Sequence, residues 1–366
     1  MTSAHAGTLA GQQAEERVGG IDAVRFLCAA WVALDHFGGL PFLQMAAVGK
    51  QHAIGLALWG INNNLFPGPA AVIVFFVVSG FCVHRPYAMG RPLAVGPHLA
   101  RRFVRVCPPL FAAMLLSQLV AGRLLIGNVL WSLICELIYY AIYPALFILI
   151  KRCGWYAVLG AAFAGAVAMR LELGRDFGNY VDYGYALTWL IGLPCWLTGC
   201  YIAEKVDIAR PSPSKRGLWG IRIGVWALGM VLSMLRFHTP IDFKWTLDFF
   251  AVPGGIWFVA EMRAARNSGL PAWMERAGAW SYSLYLFHEV GMYLVDATFP
   301  HSAGASWSIF LKWLLTVAAG FGLSWIMYRV IERPAHDWAR WLSKRVPDGL
   351  RLSSGRALVP VPLNPT

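Results

Sequence analysis

The segment GIDAVRFLCAAWVALDHF carries Asp22, Arg25, Asp35 and His36 within an otherwise apolar run. Ionisable groups in hydrocarbon are costly, so their presence there marks a functional site by default. Arg25 and His36 are eleven residues apart. At about 3.6 residues per turn this is close to three turns, so both face one way, about 16 Å apart along the axis. One helix face then offers a cation at one level and a titratable imidazole at another. An imidazole is the side chain suited to taking a proton from a hydroxyl near neutral pH. A helix-end histidine bonded at the membrane interface, with Arg25 snorkelling, accounts for the same residues without chemistry. Asp35 adjoins His36 but points elsewhere, because adjacent positions diverge on a helix.

A second apolar run, LWSLICELIYYAIYP, holds Glu136 four residues after Ser132 and four before Tyr140. The three share a face. A lone carboxylate there needs a partner, and His36 or a nearby arginine is the natural one; a structural ion pair is the alternative. In RRFVRVCPPL, Arg102 and Arg105 are neighbours on one face. Paired guanidiniums suit a phosphate, and they equally suit the excess of positive charge that orients membrane proteins. SYSLYLFHEV adds Ser281, Ser283, His288 and Glu289. His288 rivals His36 as a base, although a helix–helix hydrogen bond is its simpler role. Asp248, Arg222 and Lys312 are single charges within apolar runs and are expected to form structural pairs.

These residues need an apolar framework to hold them. Of the 366 residues, 58% are hydrophobic and 14% charged, against about 25% charged in soluble domains. The composition excludes disorder and predicts an all-α polytopic bundle of about ten spanning helices. The apolar runs cover 20–38, 68–84, 105–122, 127–150, 154–169, 184–203, 217–235, 245–261, 278–297 and 305–330. They are continuous rather than alternating, which argues against a barrel. Most of the 31 basic residues fall on one side of these runs, which makes that side and both termini cytoplasmic. The net charge of +12 therefore reads as orientation rather than nucleic-acid binding. Residues 1–17 lack the basic start and cleavage site of a signal peptide and are expected to form a cytoplasmic tail. The external connections 39–67 and 170–183 hold amides, carboxylates and aromatics, including Asn62, Asn63, Asp176, Asn179 and Tyr180. They suit a sugar or an ordinary interfacial loop. Cys28, Cys82, Cys107, Cys135, Cys153, Cys195 and Cys200 form no CxxC pair and read as small membrane-buried hydrophobes. No residue spacing in the chain suggests a metal site.

Taken in order, these segments resemble the acyltransferase 3 family of integral membrane O-acyltransferases. The likeness runs from about 18 to 338 and rests on IDAVRFLCAAWVALDHF, FFVVSGFCV, RRFVRVCPPL, WSLICELIYYAIYP, SYSLYLFH and IERP. A Cys before Pro108, where an aromatic is commoner, and Asp35 directly before His36 are modest departures. The resemblance implies a stand-alone transmembrane acyltransferase domain over 18–338; by their residues, 1–17 reads as a cytoplasmic tail and 339–366, Pro-rich at its end, as a disordered cytoplasmic tail.

It further implies transfer of an acyl group, acetyl by family habit, from cytoplasmic acyl-CoA to a hydroxyl of a glycan or related exported or surface acceptor. A multi-pass location in a cytoplasmic or inner membrane follows. A thioester is already activated, so no bound cofactor and no metal is expected, and no nucleic-acid partner. His36 would act as base, Glu136 would orient it, and Arg25 would place positive charge near the donor or the developing oxyanion. Arg102, Arg105 and Ser79 would bind the donor. His36 either deprotonates the acceptor in a ternary complex, the simpler route, or carries the acyl group itself. A glycan or lipid-precursor transporter that uses the intramembrane charges as its path is the competing function, and a non-catalytic membrane scaffold the third.

Overall fold

The computed structural model describes residues 18–46, 53–173, 180–241, 243–265, 267, 269–299 and 306–352. In chain order the helices are α1 (Ile21–His36), α2 (Pro41–Ala46), α3 (Ala53–Asn64), α4 (Gly68–Ala88), α5 (Val95–Ala121), α6 (Gly127–Cys153) and α7 (Trp155–Leu173). They continue with α8 (Gly184–Lys205), α9 (Lys215–His238), α10 (Phe243–Ala264), α11 (Ala272–Ala277), α12 (Ser281–Thr298), α13 (Ser306–Met327) and α14 (Arg333–Ser343). A single antiparallel bridge joins β1 (Leu93–Ala94) to β2 (Arg351–Leu352).

Every one of the expected apolar runs is helical, as it must be where no water is present to satisfy backbone groups. Among the described residues, eight helical segments are long and apolar enough to cross a membrane. The two expected runs outside that set, 245–261 and 278–297, are α10 and α12. They are less apolar because they carry buried Asp248 and Glu261, and buried His288 and Glu289.

Buried ions are tolerated only with partners, and the expected pairs are present. Asp248 binds Arg170 and Tyr180. Arg222 grips Glu261 through Nε at 2.7 Å and Nη2 at 3.0 Å. Lys312 Nζ lies 2.8 Å from Asp296 in a pair that is partly exposed rather than buried.

The connections depart from the expected loops. The segment 39–67 contains α2 and α3. Asn62 does not face a ligand there: its Oδ1 accepts from the Leu40 amide at 2.8 Å and its Nδ2 donates to the Gly38 carbonyl at 2.8 Å. It pins the turn Gly38–Leu40 that follows α1. Tyr180 is buried against Asp248 rather than exposed. Asp176, Asn179, the tail 1–17 and the Pro-rich end 353–366 lie outside the described residues. At the other end, α14 and the β1–β2 bridge carry described structure past residue 338, to Leu352.

Two close backbone approaches set the helix spacing. A Cβ at Gly80 would strike the Trp196 carbonyl, and one at Gly199 would strike the Val77 carbonyl, so α4 and α8 touch main chain to main chain. This contact places Ser79 beside Trp196, whose Nε1 donates to Ser79 Oγ at 3.2 Å. A Cβ at Gly291 would come within 2.6 Å of Gly320 Cα, which locks α12 to α13. Small residues serve helix contacts in membranes for this reason. All seven cysteines are free, and Cys28, Cys135, Cys195 and Cys200 are buried.

Gly80→Val is therefore expected to cost more than the ~1–3 kcal/mol of ordinary overpacking. Fluorescence-detected size exclusion of the detergent-extracted protein should show loss of its monodisperse peak. Gly224, with nothing within 4 Å of a built Cβ, should tolerate Ala.

Candidate active site

Five helices, α1, α4, α5, α6 and α12, carry the chemistry. They line two cavities. The inner one, about 100 Å³, lies among Arg25, Ser79, Arg102, Arg105, Glu136 and Tyr140. The outer one, about 230 Å³, lies among Asp35, His36, Asn63, Asn128, Trp131 and Arg236. Val72 and Tyr285 line both and form the wall between them. Arg25 and His36 thus face two chambers from one helix, as their spacing predicts.

In the inner chamber Glu136 Oε1 accepts from Ser79 Oγ at 2.7 Å and also from the Tyr140 hydroxyl. The Arg102 guanidinium lies 5.4 Å from the centre of the Tyr140 ring and donates to the Cys82 carbonyl at 3.2 Å. Arg25 Nη1 lies 3.6 Å from Asp22. Three guanidiniums and one carboxylate share this space, a balance that favours an anionic ligand.

In the outer chamber His36 Nδ1 lies 2.8 Å from His288 Nε2 and 3.0 Å from Glu289 Oε1. Asn128 Nδ2 donates to the same Glu289 oxygen at 3.0 Å. His288 Nδ1 lies 2.9 Å from the Leu284 carbonyl. The two imidazoles stack with centroids 5.0 Å apart. His288 thus makes the helix–helix contact expected of it. Asp35 turns away and accepts from the Gly68 amide at 3.1 Å.

The structure brings Arg25, Ser79, Arg102, Arg105 and Glu136 together and leaves His36 apart from them. Glu136 does not orient His36; Glu289 occupies that place. The reason is height. On α6, Asn128, Ser132 and Glu136 follow one another every four residues, about 6 Å of rise each. Asn128 is level with His36, and Glu136 lies about 12 Å nearer the arginines. Sequence reasoning passed over Glu289, Asn128 and Tyr285 as site residues. The available signal was a carboxylate adjoining a histidine in an apolar run.

His36, His288 and Glu289 also offer ligand atoms within 4.8 Å of one another, so they could hold a metal ion. Two nitrogens bound to one tetrahedral zinc at ~2.0–2.1 Å sit about 3.3 Å apart. The observed 2.8 Å is instead the spacing of a shared proton.

A family model described as an acyltransferase domain matches residues 18–329. No curated protein matches the chain, and no solved structure does.

An anion such as coenzyme A in the inner chamber should bind about tenfold more weakly, roughly 1.4 kcal/mol, when either Arg102 or Arg105 is replaced with Ala. Calorimetry on the detergent-purified protein measures this, and an unchanged affinity would remove these arginines from anion binding.

Proposed function

Because the chain belongs to the acyltransferase 3 family and is a multi-pass membrane protein, we propose that it moves an acyl group from acyl-CoA to a hydroxyl. The acyl group is acetyl in the simplest case. The acceptor is a glycan or a related exported or surface molecule, and His36 is the general base. In this reading the protein sits in a cytoplasmic or inner membrane, with coenzyme A entering on the side of the arginines.

The hydrogen bonding around His36 carries the reading. His288 Nδ1 has a backbone carbonyl for its neighbour, so it bears the proton and its Nε2 is a lone pair. Glu289 is a carboxylate held by an amide donor, so it too accepts. His36 Nδ1 faces both acceptors and must carry a proton. Its Nε2 is then the unprotonated nitrogen. His36 keeps 21% of its side chain exposed and lines the outer chamber, whereas Glu289 is 3% exposed. A base with a fixed tautomer and a carboxylate behind it is the arrangement that general-base catalysis requires.

The acceptor hydroxyl gives its proton to His36 Nε2 as its oxygen attacks the thioester carbon. Glu289 stabilises the resulting imidazolium. Collapse breaks the C–S bond, and the proton passes from His36 to the departing thiolate. Arg102, Arg105 and Ser79 hold the donor in the inner chamber, and Arg25 adds positive charge near the donor there. Glu136 positions Ser79 and Tyr140 there. Transfer is direct, through a ternary complex.

Membranes carrying the wild type should incorporate label from radiolabelled acetyl-CoA. His36→Ala should abolish incorporation, and Glu289→Gln should lower it about 100-fold or more, the range of general acid–base effects. Equal labelling by wild type and His36→Ala would overturn the assignment of the base. A transporter would keep its flux in His36→Ala and ignore acetyl-CoA.

A further inference from the structure

The wall between the two chambers is the place where donor and base must meet, and its chemistry is spare. Val72 and Tyr285 line both cavities. Val72 is apolar, so the Tyr285 hydroxyl is the polar group that this pair of wall residues presents. Its ring is buried and held edge-on by Phe75, with centroids 5.5 Å apart and planes at 67°. Tyr285 stands on α12 three residues before His288 and four before Glu289. The same helix face therefore carries the phenol at the wall and the groups that orient His36 one turn beyond it.

The hydroxyl is backed by a second one. Tyr285 OH lies 2.7 Å from Ser132 Oγ, and Ser132 Oγ donates to the Val129 carbonyl at 2.9 Å. A serine has one proton. With that proton on Val129, the phenol donates to Ser132 in the resting state. The phenol O–H can turn about its C–O bond toward an oxygen at the wall. The Ser132 O–H then turns to donate to the phenol oxygen, so the pair acts as a chain of donors aimed at one point.

Resting on the acyl-transfer reading above, we propose that Tyr285 is a catalytic residue. Its O–H, backed by Ser132, donates to the oxygen of the donor's thioester carbonyl at the wall between the chambers. As the acceptor oxygen bonds to the carbonyl carbon, the C=O π pair moves onto that oxygen and the acceptor proton moves to His36 Nε2. The Tyr285 hydrogen bond strengthens as the charge develops. The π bond then re-forms, the C–S pair leaves on sulfur, and His36 returns the proton to the thiolate. Nothing is oxidised or reduced.

The test uses purified full-length protein, coenzyme A, and trifluoroacetonyl-CoA, a ketone whose hydrate imitates the tetrahedral centre. Wild type should bind the ketone at least about 100-fold tighter than coenzyme A, as transition-state analogues do. Tyr285→Phe should erase most of that difference, leave coenzyme A affinity unchanged, and lower labelled acetyl transfer about 10²–10³-fold. Ser132→Ala should act in the same direction and less strongly. If Tyr285→Phe weakens ketone and coenzyme A equally, or leaves transfer within about threefold of wild type, Tyr285 is a packing residue and the proposal fails alone. If wild type binds neither compound, the acyl-CoA reading fails and takes this proposal with it.

Discussion

Two hydrogen bonds between α6 and α12 set the height of everything in the site. Asn128 meets Glu289 at 3.0 Å, and Ser132 meets Tyr285 at 2.7 Å. The partners are four residues apart on each helix, in opposite directions, so the helices are antiparallel and in register along one face. One turn further, Glu136 and Ser281 line the same inner cavity. In an apolar bundle such polar contacts carry specificity, because a slipped register leaves buried donors and acceptors unmade. A one-turn slip would take Asn128 from Glu289 and leave the carboxylate behind His36 without its donor.

The remaining packing holds that register in place. The reciprocal approach at Gly80 and Gly199 brings α4 against α8 and delivers Ser79 to Glu136. The approach at Gly291 and Gly320 fixes α12 against α13. A carboxylate from α11 secures the start of α1: Glu275 accepts from the amides of Gly20 and Ala23, each at 2.6 Å. Negative charge at a helix start is favourable, and it fixes the level at which Arg25 enters the inner chamber. Glu332, buried in the IERP segment, accepts from the Ser283 amide at 3.0 Å and hydroxyl at 2.6 Å. It does the same near the start of α12, two residues before Tyr285 and five before His288.

The bundle thereby divides its polar groups by height. Arg25, Arg102 and Arg105 line one chamber, His36 lines the other beside Asp35 and Arg236, and Val72 and Tyr285 line both. Outside this axis, Arg222 and Glu261 form a closed pair. The axis keeps open space beside its polar groups, which distinguishes a site from a structural pair.

Much of this was readable along the chain. Continuous apolar runs placed ten helices, because hydrocarbon leaves the backbone no other choice. Periodicity put Arg25 and His36 on one face, and Ser132, Glu136 and Tyr140 on another. Both are local consequences of about 3.6 residues per turn. The partner of His36 was out of reach. Glu136 and Glu289 are both carboxylates in apolar runs, and periodicity says which residues share a face without saying how deep one helix sits against another. That depth follows from glycine contacts, capping carboxylates and the α6–α12 register, each of which joins residues far apart in sequence; His36 and His288 are 252 residues apart. The sequence by itself determined the helices and the faces they present. Only the tertiary structure decided their heights, and with them the pairing of His36 with Glu289 and the wall at Tyr285.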